Sequence, residues 1–238
     1  MNLTVAEKRG SFTGLPNKNG RKEIFYPESD GKPMGETAFH VNSIMFLYQA
    51  LKAFFHRQEN VVVIADMMFY YEKGNPAKVM APDVMIVKGV KDYPRRTFKL
   101  WEEKVPDVIF EISSRETWKE DLQKKYQLYQ SFGVKEYYIF DPEYDYLKDE
   151  PLIAYHLKGT AFEEMKVKRG RILSPSLGLE IVDNGETLRL FDPQTKKYLP
   201  TMEEVGSKIQ EMDTKMEELG SENEILKAEL AKIKRQTS

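Results

Sequence analysis

A strand, a polar helix and a second strand follow one another between residues 107 and 142, and this order constrains the fold most. DVIFEIS (107–113) and EYYIFDP (136–142) are apolar runs of strand length. The segment from Thr117 to Ser131 carries an apolar and aromatic stripe at helical spacing, and Gly133 lies where the helix should end. Because parallel neighbouring strands need a long crossover, this segment predicts a crossover unit at the centre of a mixed sheet.

The patterns on either side extend this unit into a larger domain. A helix is predicted over residues 38–55, and the turn signal Asn184-Gly185 predicts a hairpin between Leu179 and Phe191. The expected fold class is α/β, with a mixed central sheet flanked by helices over residues 36–200. Residues 1–35 have no clear period and predict an irregular N-terminal arm. The other predicted strands cover residues 61–71, 79–87, 153–157 and 162–167.

The C-terminal segment, residues 201–238, has a different pattern. Its seam residues alternate in steps of three and four, which is a heptad a/d repeat and predicts a coiled-coil helix. We expect the chain to self-associate as a dimer through this helix, and Asn223 at an a position favours parallel pairing of two strands. A single amphipathic helix packed on its own domain is the alternative. The seam residues are Met202, Val205, Ile209, Met212, Met216, Leu219, Asn223, Leu226, Leu230 and Ile233.

Composition excludes several classes of site and partner. The 238 residues include no cysteine, so disulfides and thiolate metal sites are excluded. With only three histidines in the sequence, a His-rich zinc site is not expected either. The formal net charge of −2 argues against a nonspecific nucleic-acid coat protein, although the segments 91–96 and 166–171 could still line a local basic groove. Solvated loops are the alternative for both segments. With no apolar leader or membrane-length run, a cytoplasmic location is expected.

Three carboxylates lie within the predicted strands, at Asp66, Asp83 and Glu111. Two carboxylates that converge from neighbouring strands repel each other, and a hard divalent cation such as Mg²⁺ removes that conflict. By spacing alone, Glu111 is also compatible with the solvent face of a half-exposed strand, and this reading is the more common one. The helix that follows offers Asp121, Lys125 and Tyr129 at successive i, i+4 positions, from which a lysine could point back at Glu111.

The order of these motifs resembles a known family. They are Pro82-Asp83, Glu111-Ile112-Ser113, Asp121/Lys125/Tyr129, Gly133-Val134, Glu136-Tyr137-Tyr138 and Asp141-Pro142. Together they resemble the restriction endonuclease family often called Uma-two, of the PD-(D/E)XK nuclease superfamily, over roughly residues 36–200. The superfamily carries a lysine two residues after the glutamate, whereas this chain has Ser113 there.

The resemblance implies a restriction-endonuclease-like fold and Mg²⁺-dependent hydrolysis of phosphodiester bonds in DNA, with Mn²⁺ as a substitute metal. Asp83 and Glu111 match the metal ligands, and Lys125 matches a catalytic lysine that has moved from strand to helix. Supporting positions around them are expected at Asp66, His40, Asp121 and Tyr129. A scaffold protein that keeps the nuclease fold and binds partners through its C-terminal helix is the alternative function.

Overall fold

The computed structural model describes residues 13–16, 22–29, 31 and 36–236. The chain forms two compact units that divide between Leu199 and Pro200. In chain order the elements are β1 (Thr13–Pro16), β2 (Lys22–Ile24), α1 (Ala38–Phe54), β3 (Val61–Ala65), β4 (Phe69–Tyr70), β5 (Val79–Met80), β6 (Val84–Lys88), β7 (Phe98–Lys99), β8 (Val108–Ile112), α2 (Trp118–Glu120), a π-helical turn (Asp121–Lys125), α3 (Tyr126–Phe132), β9 (Glu136–Phe140), β10 (Leu152–Lys158), β11 (Ala161–Glu164), β12 (Arg171–Ser174), β13 (Leu179–Asp183), β14 (Leu188–Asp192), β15 (Lys197–Tyr198) and α4 (Met202–Gln236).

A six-stranded mixed sheet forms the centre of the first unit, with strand order β11-β10-β9-β8-β6-β3. Strands β8 and β9 pair in parallel, with Glu111 opposite Ile139, and the other pairings in this sheet are antiparallel. The helical segment between β8 and β9 is the crossover that a parallel pair requires. The predicted α/β fold with a mixed central sheet is therefore confirmed.

Both faces of this sheet are covered by helices. On one face, Leu47 and Leu51 of α1 pack with Phe110 of β8. On the other face, Tyr129 of α3 packs with Ile109 of the same strand. Strand β8 is buried along its whole length for this reason, and the expectation of a half-exposed strand at Glu111 is wrong.

The crossover helix is one continuous segment of three parts, α2, the π-helical turn and α3. It ends at Gly133, whose φ of 85° is the left-handed conformation that glycine adopts most easily. The turn widens the helix at Asp121–Lys125, and the hydroxyl of Tyr137 donates to the Asp121 backbone carbonyl there at 3.0 Å. The helix was predicted from Thr117 to Ser131, but its spacing alone does not predict the wider turn.

Two predicted strands are each divided at an acidic residue. The run 61–71 becomes β3 and β4, which are separated at Asp66 with a φ of 44°. The run 79–87 becomes β5 and β6, which are separated at Pro82-Asp83. The amide of Asp66 lies 3.2 Å from the carbonyl oxygens of Pro82 and Asp83, so the two breaks are joined by backbone hydrogen bonds. The short strands β7, β12 and β15 were not predicted, because two to four residues show no reliable period.

The N-terminal arm and the C-terminal helix have locally defined structure. Within residues 1–35, β1 and β2 form an antiparallel pair and the Tyr26 ring packs against Tyr70, while residues 1–12, 17–21, 30 and 32–35 of the predicted arm lie outside the described residues. Helix α4 begins with a capping box, in which Thr201 and Glu204 each bond the other's backbone amide. Across the part of the chain that the structure describes, we find no helix long and apolar enough to cross a membrane.

Candidate active site

Glu111 is a fully buried carboxylate with a donor on each oxygen. It lies on the face of β8 that the crossover helix covers, and its exposed fraction is 0%. Lys125 Nζ donates to its Oε2 at 2.8 Å, and the Tyr129 hydroxyl donates to its Oε1 at 2.5 Å. Because an unpaired carboxylate at this depth is costly, the lysine and the tyrosine are what allow Glu111 to be buried.

Lys125 is held between two carboxylates. Its Nζ lies 2.8 Å from Glu111 Oε2 and 2.8 Å from Asp121 Oδ1, so it forms an ion pair with each carboxylate. The Ser113 hydroxyl donates to the other oxygen of Asp121 at 2.9 Å. The Asp121–Lys125 pair is therefore buried within the site, whereas its i, i+4 spacing is more typical of a surface pair.

Asp83 reaches the same point from the neighbouring strand. Its Oδ2 accepts from the backbone amide of Ile112 at 2.6 Å, so its carboxylate lies beside the residue that follows Glu111. Its Oδ1 lies 3.7 Å from His40 Nε2, on helix α1. With 17% of its side chain exposed, Asp83 is the more accessible to solvent of the two predicted metal ligands, since Glu111 is fully buried.

Negative charge exceeds positive charge in this cluster. The carboxylates of Asp83, Glu111 and Asp121 face one ammonium, that of Lys125, so the formal charge is −2 with His40 neutral. Burial raises the pKa of Glu111 well above its ordinary value, and the charges of Asp83 and Asp121 raise it further against the opposing effect of the lysine.

The excess of negative charge also raises the pKa values of Lys125 and His40. Burial by itself would lower the pKa of Lys125, but the charges of Glu111, Asp121 and Asp83 outweigh it, so the pKa is raised and Lys125 stays an ammonium. For His40, burial also opposes protonation, while its contact with Asp83 and the charge of Glu36 raise the pKa above its ordinary value. Both pKa values are raised because the nearby carboxylates carry more negative charge than the lysine neutralises, and this favours the positively charged form of each side chain.

A divalent cation fits this excess of charge. Magnesium is held by one or two carboxylates and retains water and substrate phosphate as its other ligands. Asp83 and Glu111 supply two such carboxylates at adjoining positions. In the described ranges, no group of three or more His, Cys, Asp or Glu side chains is arranged to hold a metal ion by itself. The donor set therefore suits a metal that is completed by water and substrate.

Comparison with known families identifies the family of this chain. The family model described as Uma2, "Putative restriction endonuclease", matches residues 15–185, which is well over half of the chain. The chain belongs to the Uma2 family. This is the family that the ordered motifs resemble, and membership of it supports a nuclease. A search of curated proteins found none that matches this Uma2 protein.

One solved structure of similar fold is described as a "putative nuclease" from Anabaena variabilis ATCC 29413. It is 15% identical in sequence to the Uma2 protein, and the alignment covers 74% of the Uma2 protein and 91% of the solved chain, with a TM-score of 0.45.

Most of the predicted site residues of this Uma2 protein come together in the structure. Lys125, Asp121 and Tyr129 surround Glu111, and His40 contacts Asp83. The side chain of Asp66 is exposed, and its backbone amide bonds to the carbonyl oxygens of Pro82 and Asp83 just before β6. These roles in catalysis and metal binding stay predictions.

Ser113 is the site residue that sequence reasoning did not assign. It was noted only for occupying the superfamily's lysine position, yet its hydroxyl binds Asp121, the carboxylate that holds Lys125. The signal was present in the sequence, because Ser113 shares the Glu111 face of the strand at period two. Its partner could not be predicted, because the helix lies outside the strand's own pattern.

Each of the two candidate basic segments contains arginine that forms an ion pair with a neighbouring carboxylate. In the first, Arg95 is buried against Glu103, with 2.8 Å between its Nε and the carboxylate. In the second, Arg171 binds Glu180 at 2.7 Å and packs over the Phe191 ring. These two arginines are tied to neighbouring carboxylates, and Arg96 pairs with Glu28 while it remains largely exposed.

Proposed function

We propose that this protein is an endonuclease that hydrolyses phosphodiester bonds in DNA and depends on Mg²⁺, with Mn²⁺ as a substitute. Asp83 and Glu111 are the proposed metal ligands, and Lys125 is the proposed catalytic cation. The observation that supports this most is the buried cluster in which three carboxylates share one lysine. Such a cluster is costly to a protein that uses the fold only for its shape.

The proposed roles follow from the chemistry of each side chain. Mg²⁺, when bound, supplies a Lewis acid for the phosphate oxygens. Lys125 is an ammonium and therefore a donor rather than a base, so it suits orienting the attacking water and stabilising the negative charge that develops on the phosphate. Asp121 fixes the position of Lys125, and Tyr129 fixes the carboxylate of Glu111. His40 lies beside Asp83 from helix α1, with 3.7 Å between its Nε2 and the Asp83 Oδ1, and it would help to orient that carboxylate.

Two exposed cations near the site are candidates for binding the DNA backbone. Arg115 and Lys119 follow directly after the strand that carries Glu111, and both are exposed. If each contacts one phosphate, replacing either by alanine should lower the dependence of log K on log salt concentration by about one. These cations follow the site along the chain, whereas Arg95 and Arg171 are already bound to carboxylates.

Cleavage of supercoiled plasmid and of labelled single- and double-stranded DNA, with Mg²⁺, Mn²⁺ or EDTA, tests the proposal. We expect Asp83→Asn, Glu111→Gln and Lys125→Met each to reduce cleavage by about 100-fold or more. Lys124→Met is the matched control, since Lys124 is the adjacent lysine, is 65% exposed and pairs only with Glu120. Full activity in any of the first three variants would remove that residue from the mechanism.

A metal titration separates the enzyme from the alternative scaffold function. By calorimetry on the purified chain, Mg²⁺ or Mn²⁺ should bind, and the binding should be lost in Asp83→Asn. A ligand that binds only the folded state also raises the midpoint of thermal unfolding, which provides a second readout. A wild-type chain that binds neither metal and cleaves no substrate would instead support a scaffold.

We also propose that the C-terminal helix mediates self-association. Eight apolar seam residues of helix α4 are exposed, and exposed apolar residues in a row are typical of an interaction surface. The mass of the full-length chain, measured by sedimentation equilibrium at micromolar concentration, tests this proposal. A monomer at all concentrations would contradict it.

A further inference from the structure

Helix α4 presents its heptad seam to solvent except at Val205, which is half-buried. Eight apolar seam residues are 49–68% exposed, although apolar side chains of this size are stabilised by burial. A helix with a narrow a/d stripe is covered by another helix of the same kind in a coiled coil. These eight residues are Met202, Ile209, Met212, Met216, Leu219, Leu226, Leu230 and Ile233.

The charges beside the seam match a second copy of the same helix. In a parallel coiled coil, a g residue of one helix meets the e residue five positions later on its partner. Glu222 thereby meets Lys227, and Glu229 meets Lys234. Lys208 likewise meets Asp213, so every charged pair is attractive. The remaining g residue, Lys215, meets Gly220, which is neutral. By symmetry each pair occurs twice, so the parallel dimer has six attractive pairs and no repulsive one.

An antiparallel pair with full overlap is less favourable. There g residues face g residues, so Lys208 meets Glu229 and Lys215 meets Glu222, which makes four attractive pairs in the dimer. The charged e residues Asp213 and Lys227 of that arrangement meet Gly220 and Gly206. Charge alone therefore favours the parallel arrangement only by six pairs to four, and exposed pairs contribute little each.

Asn223 decides between the two arrangements. In the parallel dimer it faces its own copy, and two side-chain amides can bond each other across the seam. In the antiparallel dimer it faces Met212, so each of two amides is placed opposite an apolar side chain. An amide buried without a partner destabilises the antiparallel arrangement, because its hydrogen bonds to water are lost and not replaced.

We infer that helix α4 pairs with a second copy of itself as a parallel, in-register two-stranded coiled coil. The inference rests on the proposed self-association and adds its orientation and register. Both copies of α4 then begin at the same end of the coiled coil, so both nuclease domains are tethered at that end. Two copies of the active site are thereby available to act on the two strands of one duplex.

Charge exchange in the full-length chain tests the register. Lys227→Glu alone should weaken the dimer about tenfold, because it places two like-charged pairs in each dimer. Adding Glu222→Lys should restore the wild-type affinity to within about threefold, because the pair is then attractive again. In the antiparallel arrangement Lys227 faces Gly206, so Lys227→Glu alone would leave the affinity of the dimer unchanged. The double variant would then weaken the dimer, because Glu222→Lys would face Lys215. Lys232→Glu, on the outer face of the helix, is the matched control and should leave the dimer unchanged.

Disulfide trapping tests the orientation, since the protein has no cysteine of its own. Leu226→Cys should give a covalent dimer on mild oxidation, because identical d residues face each other only in the parallel register. Cross-linking that occurs only in a mixture of Ile209→Cys and Leu226→Cys chains would show antiparallel pairing and overturn the inference. A chain that remains a monomer by sedimentation would overturn both the inference and the self-association, while leaving the nuclease proposal to the cleavage assay.

Discussion

Replacing Lys125 by methionine is the sharpest test of how the buried site is held together. The substitution keeps a flexible side chain of similar length and removes the ammonium from between two carboxylates. Both contacts are 2.8 Å, and at an effective dielectric constant of 20 the attraction in each is about 6 kcal/mol before the cost of burial is subtracted. Breaking a buried pair by removal of one partner costs about 3–5 kcal/mol net. We expect the free energy of unfolding to fall by that amount.

Urea unfolding followed by tryptophan fluorescence measures this change in the correct part of the molecule. The two tryptophans, Trp101 and Trp118, lie in the first unit, and helix α4 contains none, so the signal does not report on the coiled coil. Lys124→Met is again the matched control, and its exposed pair with Glu120 predicts a change of about 0.5 kcal/mol or less.

A loss below about 1 kcal/mol in Lys125→Met would refute the reasoning, because it would mean that Lys125 does not neutralise the buried carboxylates. The double variant Glu111→Gln/Lys125→Met sharpens the result. If the two side chains act as a pair, the loss in the double variant should be smaller than the sum of the two single losses. Additive losses would show that each residue contributes to stability by a separate route.

Two further predictions concern stability outside the site. In urea unfolding, Gly170→Ala should lower the free energy of unfolding by at least about 2 kcal/mol more than Gly185→Ala does. Both glycines have positive φ, but only at Gly170 would an added Cβ overlap the carbonyl oxygen of Asp183. Equal losses in the two variants would contradict this prediction. Burial by itself would raise the pKa of Glu103, but its bonds with Arg95 lower it below the ordinary value. The stabilisation is therefore present above the unfolded-state pKa and is lost as pH falls through the folded-state pKa, so the stability difference between wild type and Arg95→Met should shrink on acidification. A difference that is constant with pH would refute the second prediction.

The main elements of the fold could be predicted because they depend on local periodicity. The strands that contain Val108–Ile112 and Glu136–Phe140, the helix between them and the long C-terminal helix each repeat apolar residues at a characteristic spacing. The divisions at Asp66 and at Pro82-Asp83 were missed, because apolar residues continue through both breaks and the backbone bonds that join them connect distant parts of the chain.

Candidate site residues could be named from motif order, but their surroundings could not. Periodicity placed Glu111 on the opposite face of its strand from Phe110, and the structure agrees, since Phe110 packs with α1 while Glu111 meets the crossover helix. The same periodicity favoured solvent on the Glu111 face. The prediction of solvent exposure was wrong because exposure depends on which helix covers that face of the sheet. The sequence of a strand does not indicate which helix will cover it.

The sequence by itself therefore determined the order of the main elements, the parallel crossover, the heptad seam and the chemical types of the site residues, because each of these depends on local spacing and composition. Only the tertiary structure decided the depth of Glu111 and the partners of its two oxygens. It alone also assigned Ser113 to Asp121 and turned a commonplace i, i+4 pair into the buried Asp121–Lys125 contact. The physical reason is that burial and ion pairing depend on which surfaces meet when a helix closes over a sheet, and that meeting brings together residues that share no local pattern.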